Sequence, residues 1–365
     1  MISHHTSYIM TLIFNRRRKA MLTVLTKFTA IAGLGVAALA TPAFANVGPT
    51  LEQVKARGSL ECSGHNGSFL GFAEVDDKGA WKGLDIDLCR AVAAAIFGDA
   101  SKLNVVPISW AQRWPALQSG DIDLVIKASG GTFSRDTELG LQFSRAYFLG
   151  TTKAMVRKDS GITSLEEADG GSICIPAGTT IERQVASYAD RIGITLEPIL
   201  FEKTEELREA YFSSRCDIYA QWGPTLAIDR SVSDDPSAHI LLPDVMAMEP
   251  EVAILRQGDD QWVDLVNWVF SALWFAEQEG ITQANVDEMK ANPPTSEIGK
   301  LLGVTPGQGA PLGLDDDWAY DVIKIVGNYS EIYERNIGSG SIYDMPREIN
   351  NLWNNGGVLY PMVFD

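Results

Sequence analysis

The feature that most restricts this chain is an alternation, met twice, of short apolar runs and helical stretches separated by turns. In the first round Ser59 to Ser63 reads as a strand, followed by a Gly-rich loop from Gly64 to Gly79. The next helix carries Leu88, Ala91, Val92, Ala95 and Ile96 at helical spacing, with Asp85 or Asp87 to cap it and Gly98 to close it. Val105 to Ile108 is a strand and Arg113 to Ser119 a helix; Gly120-Asp121-Ile122-Asp123 then turns into a third strand, Leu124-Val125-Ile126. The second round runs through a strand at Ser172 to Ile175, a helix ending near Ile192 and a strand at Leu196 to Phe201. A helix from Thr204 to Phe212 and a strand from Asp217 to Gln221 complete it. Such alternation builds open parallel sheets whose ligands gather at the carboxyl ends of the strands. The expected fold class is therefore α/β in two lobes, and 365 residues suffice to give each lobe a core.

The connections complete the outline. Leu51 to Arg57 reads as a short helix, and Ala154-Met155-Val156 as a strand leaving the first lobe. A Pro-containing stretch from Leu242 to Glu251 leads back to it. An amphipathic helix is predicted over Trp262 to Glu279, then a Gly- and Pro-rich loop over 280–316, then helical stretches over Asp317 to Gly338 and Pro346 to Asn354. The aromatics at helical spacing here are expected to be core.

The first 45 residues read as an export signal. Arg16-Arg17-Arg18-Lys19 and Lys27 make a basic leader, Phe28 to Ala40 is apolar, and Ala43-Phe44-Ala45 is a small-x-small cleavage site. Met21 is an alternative start. The chain carries 47 acidic against 30 basic residues, a net charge of −17. Cleavage after Ala45 removes five basic residues and no acidic one, which makes the mature chain still more acidic. That argues against nucleic acid and anionic membranes as partners. No later run has the ~20 apolar residues of a membrane span, so a soluble, exported protein is expected. All four cysteines (Cys62, Cys89, Cys174 and Cys216) lie beyond the leader, and an oxidising compartment predicts two disulfides, with three connectivities open. No Cys-x-x-Cys pair is present and only His65 and His239 remain as mature histidines, so neither a metal nor a cofactor is expected.

Two strand-end loops carry the chemistry, one in each round. Lys127 to Asp136 offers the Gly130-Gly131 amides, the Ser129 and Thr132 hydroxyls and the planar fork of Arg135. Gly178-Thr179-Thr180 opens a helix in the second round. Donors converging at strand ends suit a small anion. No Gly-x-Ser-x-Gly elbow, His-Glu-x-x-His or Walker loop occurs in the mature chain, and catalysis is not expected.

Further matches are spread along the chain: Lys82-Gly83-Leu84-Asp85-Ile86-Asp87, Ala116-Leu117-Gln118-Ser119-Gly120, Ser134-Arg135-Asp136-Thr137, Arg256-Gln257-Gly258-Asp259-Asp260-Gln261-Trp262 and Asp317-Trp318-Ala319-Tyr320. With these the mature chain resembles the periplasmic solute-binding proteins of polar amino acid ABC importers. The resemblance is greatest to the large general L-amino-acid-binding proteins, and includes the C-terminal extension. It implies a type II clamshell: a signal peptide (1–45), lobe 1 (46–152 and 246–275), lobe 2 (153–245) and a helical extension (276–365) packed on lobe 1. It implies that Arg135 clamps a ligand carboxylate, helped by Gly130, Ser129, Thr132, Thr179 and Thr180. Trp114 would cover the ligand, with Phe69 and Asn66 on the neighbouring loop. The disulfides are then expected as Cys62–Cys89 and Cys174–Cys216. An ABC permease of the inner membrane would be the partner.

One position departs from that family. Where an Asp for the ligand's ammonium is usual, this chain has Gln221-Trp222-Gly223. The expectation is that the amine site is lost, Trp222 offering an aromatic face instead, and that common L-amino acids bind weakly. The alternative function is an enzyme on the same fold, such as a periplasmic dehydratase, with His65 as its general acid.

Overall fold

The computed structural model describes residues 48–365, and the predicted leader and its cleavage site lie outside them. Helix α1 (Pro49–Arg57) leads into β1 (Leu60–His65), which pairs in parallel with β4 (Leu103–Ile108) from Leu60 opposite Leu103 to His65 opposite Ile108. Between them come the small hairpin of β2 (Glu74–Val75) and β3 (Trp81–Lys82), then helix α2 (Leu84–Phe97). After β4 follow α3 (Arg113–Ser119) and the short α4 (Phe133–Thr137).

The predicted strand at Leu124-Val125-Ile126 is reduced to two bridges, Leu124 to Cys62 in parallel and Val125 to Ile254 antiparallel. The cause is Ser63. Its hydroxyl accepts the Ile126 N–H at 3.1 Å and lies 3.2 Å from the Ile126 carbonyl, so a side chain stands where a ladder rung would be.

Strand β5 (Leu141–Arg157) is 17 residues long and serves both lobes. It continues past its pairing with β10 (Ala247–Arg256) into a second sheet, beside β8 (Ile218–Trp222) on one edge and β9 (His239–Leu241) on the other. There β6 (Ser172–Pro176) lies parallel to β8 and to β7 (Glu197–Phe201), giving the order β7-β6-β8-β5-β9. Helices α5 (Thr180–Ile192), α6 (Thr204–Phe212) and α7 (Gly223–Ser231) cover this sheet. The second α/β round is thus seen as the sequence predicts, and β5 and β10 are the two crossovers.

Beyond β10, helix α8 (Asp260–Gln278) buries Trp262, Val266, Phe270 and Trp274. The stretch expected as loop holds α9 (Val286–Ala291) and α10 (Ser296–Leu301), anchored by buried Val286, Ile298 and Leu301. Next come α11 (Trp318–Val326) and α12 (Tyr329–Asn336), parted at Gly327, where φ is +94°. Pro346 to Asn354 is not the helix expected but two single 3-10 turns. Its polar groups serve elsewhere: the Asn350 side chain accepts the Leu149 N–H at 2.6 Å and donates to the Leu149 carbonyl at 3.1 Å. Arg347 meanwhile pairs with Glu277 at 2.5 Å and lies 8% exposed. The extension is thereby tied to a crossover strand.

The cysteines pair as Cys62–Cys89, joining β1 to α2, and Cys174–Cys216, joining β6 to the approach of β8. Neither bond crosses from one sheet to the other.

Candidate functional site

The strand ends of the two sheets face each other across a cleft. Phe69, Trp110, Arg113, Ser129, Gly130 and Arg135 form one wall, and Thr179, Thr180, Gln221 and Trp222 the other; Thr152, Glu249 and Glu251 of the crossovers form the floor. The walls stand close. They enclose about 30 Å³, whereas a pocket holding a small organic ligand has roughly 300–1,000 Å³. Ser68 N–H donates to Glu205 across the gap at 2.8 Å, and Arg113 reaches the Gly178 carbonyl at 3.5 Å. The cleft is therefore closed in this conformation.

Arg135 is only 5% exposed. Its guanidinium donates to the Gly130 carbonyl and lies 3.8 Å from a Glu249 oxygen. The Thr132 hydroxyl accepts the Arg135 N–H at 3.3 Å, so Thr132 fixes the turn and does not line the cleft. Ser129 lines it but donates its hydroxyl to the Lys127 carbonyl at 2.8 Å. Thr180 donates to Glu249 at 2.7 Å and Thr179 to the Pro176 carbonyl at 2.8 Å.

Trp114 takes a different place from the one expected. Its ring lies 4.2 Å from the Arg113 guanidinium and 4.8 Å from that of Arg135 and supports both by cation–π contact; the tryptophan lining the cleft on this wall is Trp110. The reason is helical direction, since Trp114 follows Arg113 at the start of α3 and its ring cannot share the cleft-facing side. Asn66 is also outside the lining, while Phe69 is in it.

Trp222 does line the cleft, yet it is 5% exposed and packs against Phe72 at 4.8 Å and Phe148 at 5.0 Å. The cleft nevertheless holds carboxylates. Glu249 and Glu251 line the cleft from β10, 9% and 3% exposed, whereas Met248, next to Glu249 on the same strand, is 59% exposed. The carboxylates of the cleft thus come from a crossover strand and not from the end of β8, where Gln221 and Trp222 stand. The signal was legible as an inverted alternation, Met248 and Pro250 outward and the glutamates inward, in a segment treated only as a connection.

Arg113 was also missed as a site residue. It is 1% exposed, and its Nε and Nη1 have no hydrogen-bond partner among the described residues. Burial, then the neighbouring Arg135, holds its pKa well below the usual guanidinium range. Lys127 is buried behind Trp110, 4.5 Å from the ring centroid, donates to the Gly64 carbonyl at 3.2 Å, and is pushed well down by burial and by Arg113. Glu251 is pushed well up by burial and by Glu249, with Arg135 opposing. Arg135 itself is lowered by burial, against the pull of Glu249.

His65 stacks on Phe69 at 4.7 Å and is 3% exposed. Burial, Lys127 and Arg113 hold its pKa well below 6.5, so it is neutral and no general acid. Among the described residues no group of His, Cys, Asp and Glu is arranged to hold a metal.

A two-lobed receptor with buried guanidinia at its strand ends and two crossover strands is the architecture of an extracytoplasmic solute-binding protein. Residues 63–280 match the model of the bacterial extracellular solute-binding proteins, family 3, and the chain belongs to that family. It is 44% identical over 331 residues to the general L-amino acid-binding periplasmic protein AapJ of Rhizobium johnstonii, covering 90% of this chain and 96% of the relative. It is 38% identical over 329 residues to the glutamate/glutamine/aspartate/asparagine-binding protein BztA of Rhodobacter capsulatus, covering 90% and 97%. A periplasmic binding protein of Brucella ovis solved with glutathione bound superposes with a TM-score of 0.82 at 44% identity, over 87% of this chain and 99% of that one. These relatives are named as binding proteins, and the chain stands with them and not with the dehydratase alternative.

Proposed function

We propose that this protein is the solute-binding component of an ABC importer, which captures an amino-acid-like solute bearing a carboxylate between its lobes. It then hands that solute to a permease in the inner membrane. The observation that carries this reading is the pair of buried guanidinia, Arg135 and Arg113, side by side on one wall of the cleft. Two buried cations cost free energy unless an anion answers them, and the cleft is where one can arrive. The names of the relatives support the class: one is called a general L-amino-acid-binding protein, another is named for acidic amino acids and their amides, and a third was solved with glutathione.

The bodies that close are 46–152 with 246–275 on one side and 153–245 on the other, hinged at β5 and β10, with 276–365 riding on the first. The protein works in the periplasm after cleavage following Ala45. Closure is driven by contacts made only when a ligand bridges both walls.

Arg135→Ala tests the reading. A buried charge pair that loses one partner costs ~2–5 kcal/mol, or about thirtyfold or more in affinity. Calorimetry on ligand-stripped protein should show that loss with an unchanged far-ultraviolet circular dichroism spectrum. Undiminished binding in the variant places the anchor elsewhere.

A further inference from the structure

We infer that Glu251, seconded by Glu249, is the partner of a cationic group on the ligand, so that this cleft takes a zwitterion whose ammonium sits on the crossover strand. The inference rests on the proposed capture of a carboxylate at Arg135.

The end of β8 cannot supply this contact. Trp222 presents an indole N–H, a donor with no acceptor, and its ring is held among Phe69, Phe72 and Phe148. Gln221 lines the cleft, but its Oε1 accepts the Trp222 N–H at 3.0 Å and its free atom is the amide nitrogen, again a donor. Asp85 and Asp229 are also buried but do not line the cleft. Asp85 accepts from Tyr147 at 2.9 Å and from the Ala128 N–H at 3.0 Å, and Asp229 accepts from Tyr219 at 2.7 Å.

The glutamates of β10 are different. Glu251 Oε2 and Glu249 Oε1 are buried without a hydrogen-bond partner among the described residues, and both side chains line the cleft. Orphaned acceptors of this kind are costly unless something arrives to satisfy them. Facing them, Arg113 keeps two donor nitrogens equally unpaired. Unmet acceptors on the floor and unmet donors on one wall describe a ligand with a positive and a negative end.

The spacing fits a compact zwitterion. Arg135 and Glu249 lie 3.8 Å apart, a loose ion pair. A molecule whose carboxylate and ammonium share one carbon can insert between them, each protein charge exchanging its partner for a better-placed one. Thr180 and Gln184 hold the other Glu249 oxygen at 2.7 and 3.0 Å, which keeps that carboxylate in place during the exchange.

The test uses calorimetry on the ligand-stripped mature chain, with L-glutamate, L-glutamine and glutathione as probes beside their N-acetylated counterparts, which keep the carboxylates and lose the cation. Wild type should bind at least one ammonium-bearing probe, and more tightly than its acetylated form. Glu251→Gln should weaken that probe by about thirtyfold or more while changing the acetylated form by less than about threefold. Glu249→Gln should move in the same direction by a smaller factor. An equal loss for both forms, or no loss, overturns the inference, as does failure of every ammonium-bearing probe to bind wild type. Arg135→Ala, run beside them, separates the two claims. If it abolishes binding of both forms while Glu251→Gln spares both, the carboxylate reading stands and the ammonium assignment falls.

Discussion

The indole nitrogen of Trp222 is aimed at Gly150, and a methyl group built on that glycine would overlap it. Gly150 belongs to β5, two residues before Thr152, the strand partner of Trp222. Absence of a side chain there is what lets a residue of the second sheet reach Phe72 and Phe148 of the first. The contact joins the lobes through apolar surface and asks nothing of the ligand. Gly150→Ala should therefore expel the ring, lower the melting temperature and weaken solute affinity together. Trp222→Ala should cost ~3–5 kcal/mol of stability, as large-to-small changes of buried aromatics do. Denaturant midpoints for the two variants check this, and a Gly150→Ala protein as stable as wild type would mean the ring can move aside freely.

Asp85 gives stability a pH dependence that can be isolated. It is fully buried, accepts from Tyr147 and from Ala128, and burial raises its pKa to about 7. Because the folded state keeps a proton that the unfolded state releases near the ordinary carboxylate range, the favourable contribution is present at low pH. It is lost as pH rises toward 7, by about 1.4 kcal/mol per pH unit. Asp85→Asn mimics the protonated form and should flatten that slope between pH 5 and 7 relative to wild type. Asp85→Ala leaves two buried donors unmet and should destabilise at every pH. Urea unfolding of the three proteins across that range reads the difference directly.

The disulfides should matter for stability and little for motion. Cys62–Cys89 closes 27 residues and Cys174–Cys216 closes 42, each within one lobe. Chain-entropy arguments give ~3–4 kcal/mol for loops of this length. Replacing either pair by serines should lower the unfolding midpoint, with binding at low temperature kept. Loss of binding without loss of fold would indicate that a disulfide bears on closure.

The second α/β round was legible because period and turn chemistry agree along it, and Arg135 because a glycine pair precedes it, whereas β5 was read only at its Ala154-Met155-Val156 end and β10 only as a connection. What was not legible depended on long-range exchange of partners. Ser63 takes over a rung from Ile126 across 63 residues, and Asn350 binds Leu149 across 201. No local pattern reports either. Arg113 looked like the start of an ordinary helix, since only the folded cleft shows that it is buried without partners. Glu249 and Glu251 lay in a segment whose proline invited a reading as mere connection, although their alternation with Met248 already broke the rule that strands turn apolar residues inward.

If Glu251 receives an ammonium, binding must depend on pH with a definite sign. The groups facing it are Arg135 and Arg113, which favour its charge, and Glu249 and Asp85, which oppose it; burial outweighs them and raises its pKa well above the ordinary range. Tyr147, itself pushed well up, adds no charge near neutrality. Only the ionised carboxylate pairs with a cation, so below its raised pKa the ligand must first displace a proton. Affinity for an ammonium-bearing probe should then rise with pH by up to about tenfold per unit and level off once Glu251 is ionised in the free protein. The N-acetylated probe should show a flat or falling profile over the same range, and Glu251→Gln should flatten the profile of the ammonium-bearing one. Calorimetry in two buffers of different ionisation enthalpy reports the proton released on binding. A proton count of zero at pH 6, with the affinity of wild type unchanged from pH 6 to 8, would show that Glu251 is already ionised or takes no part.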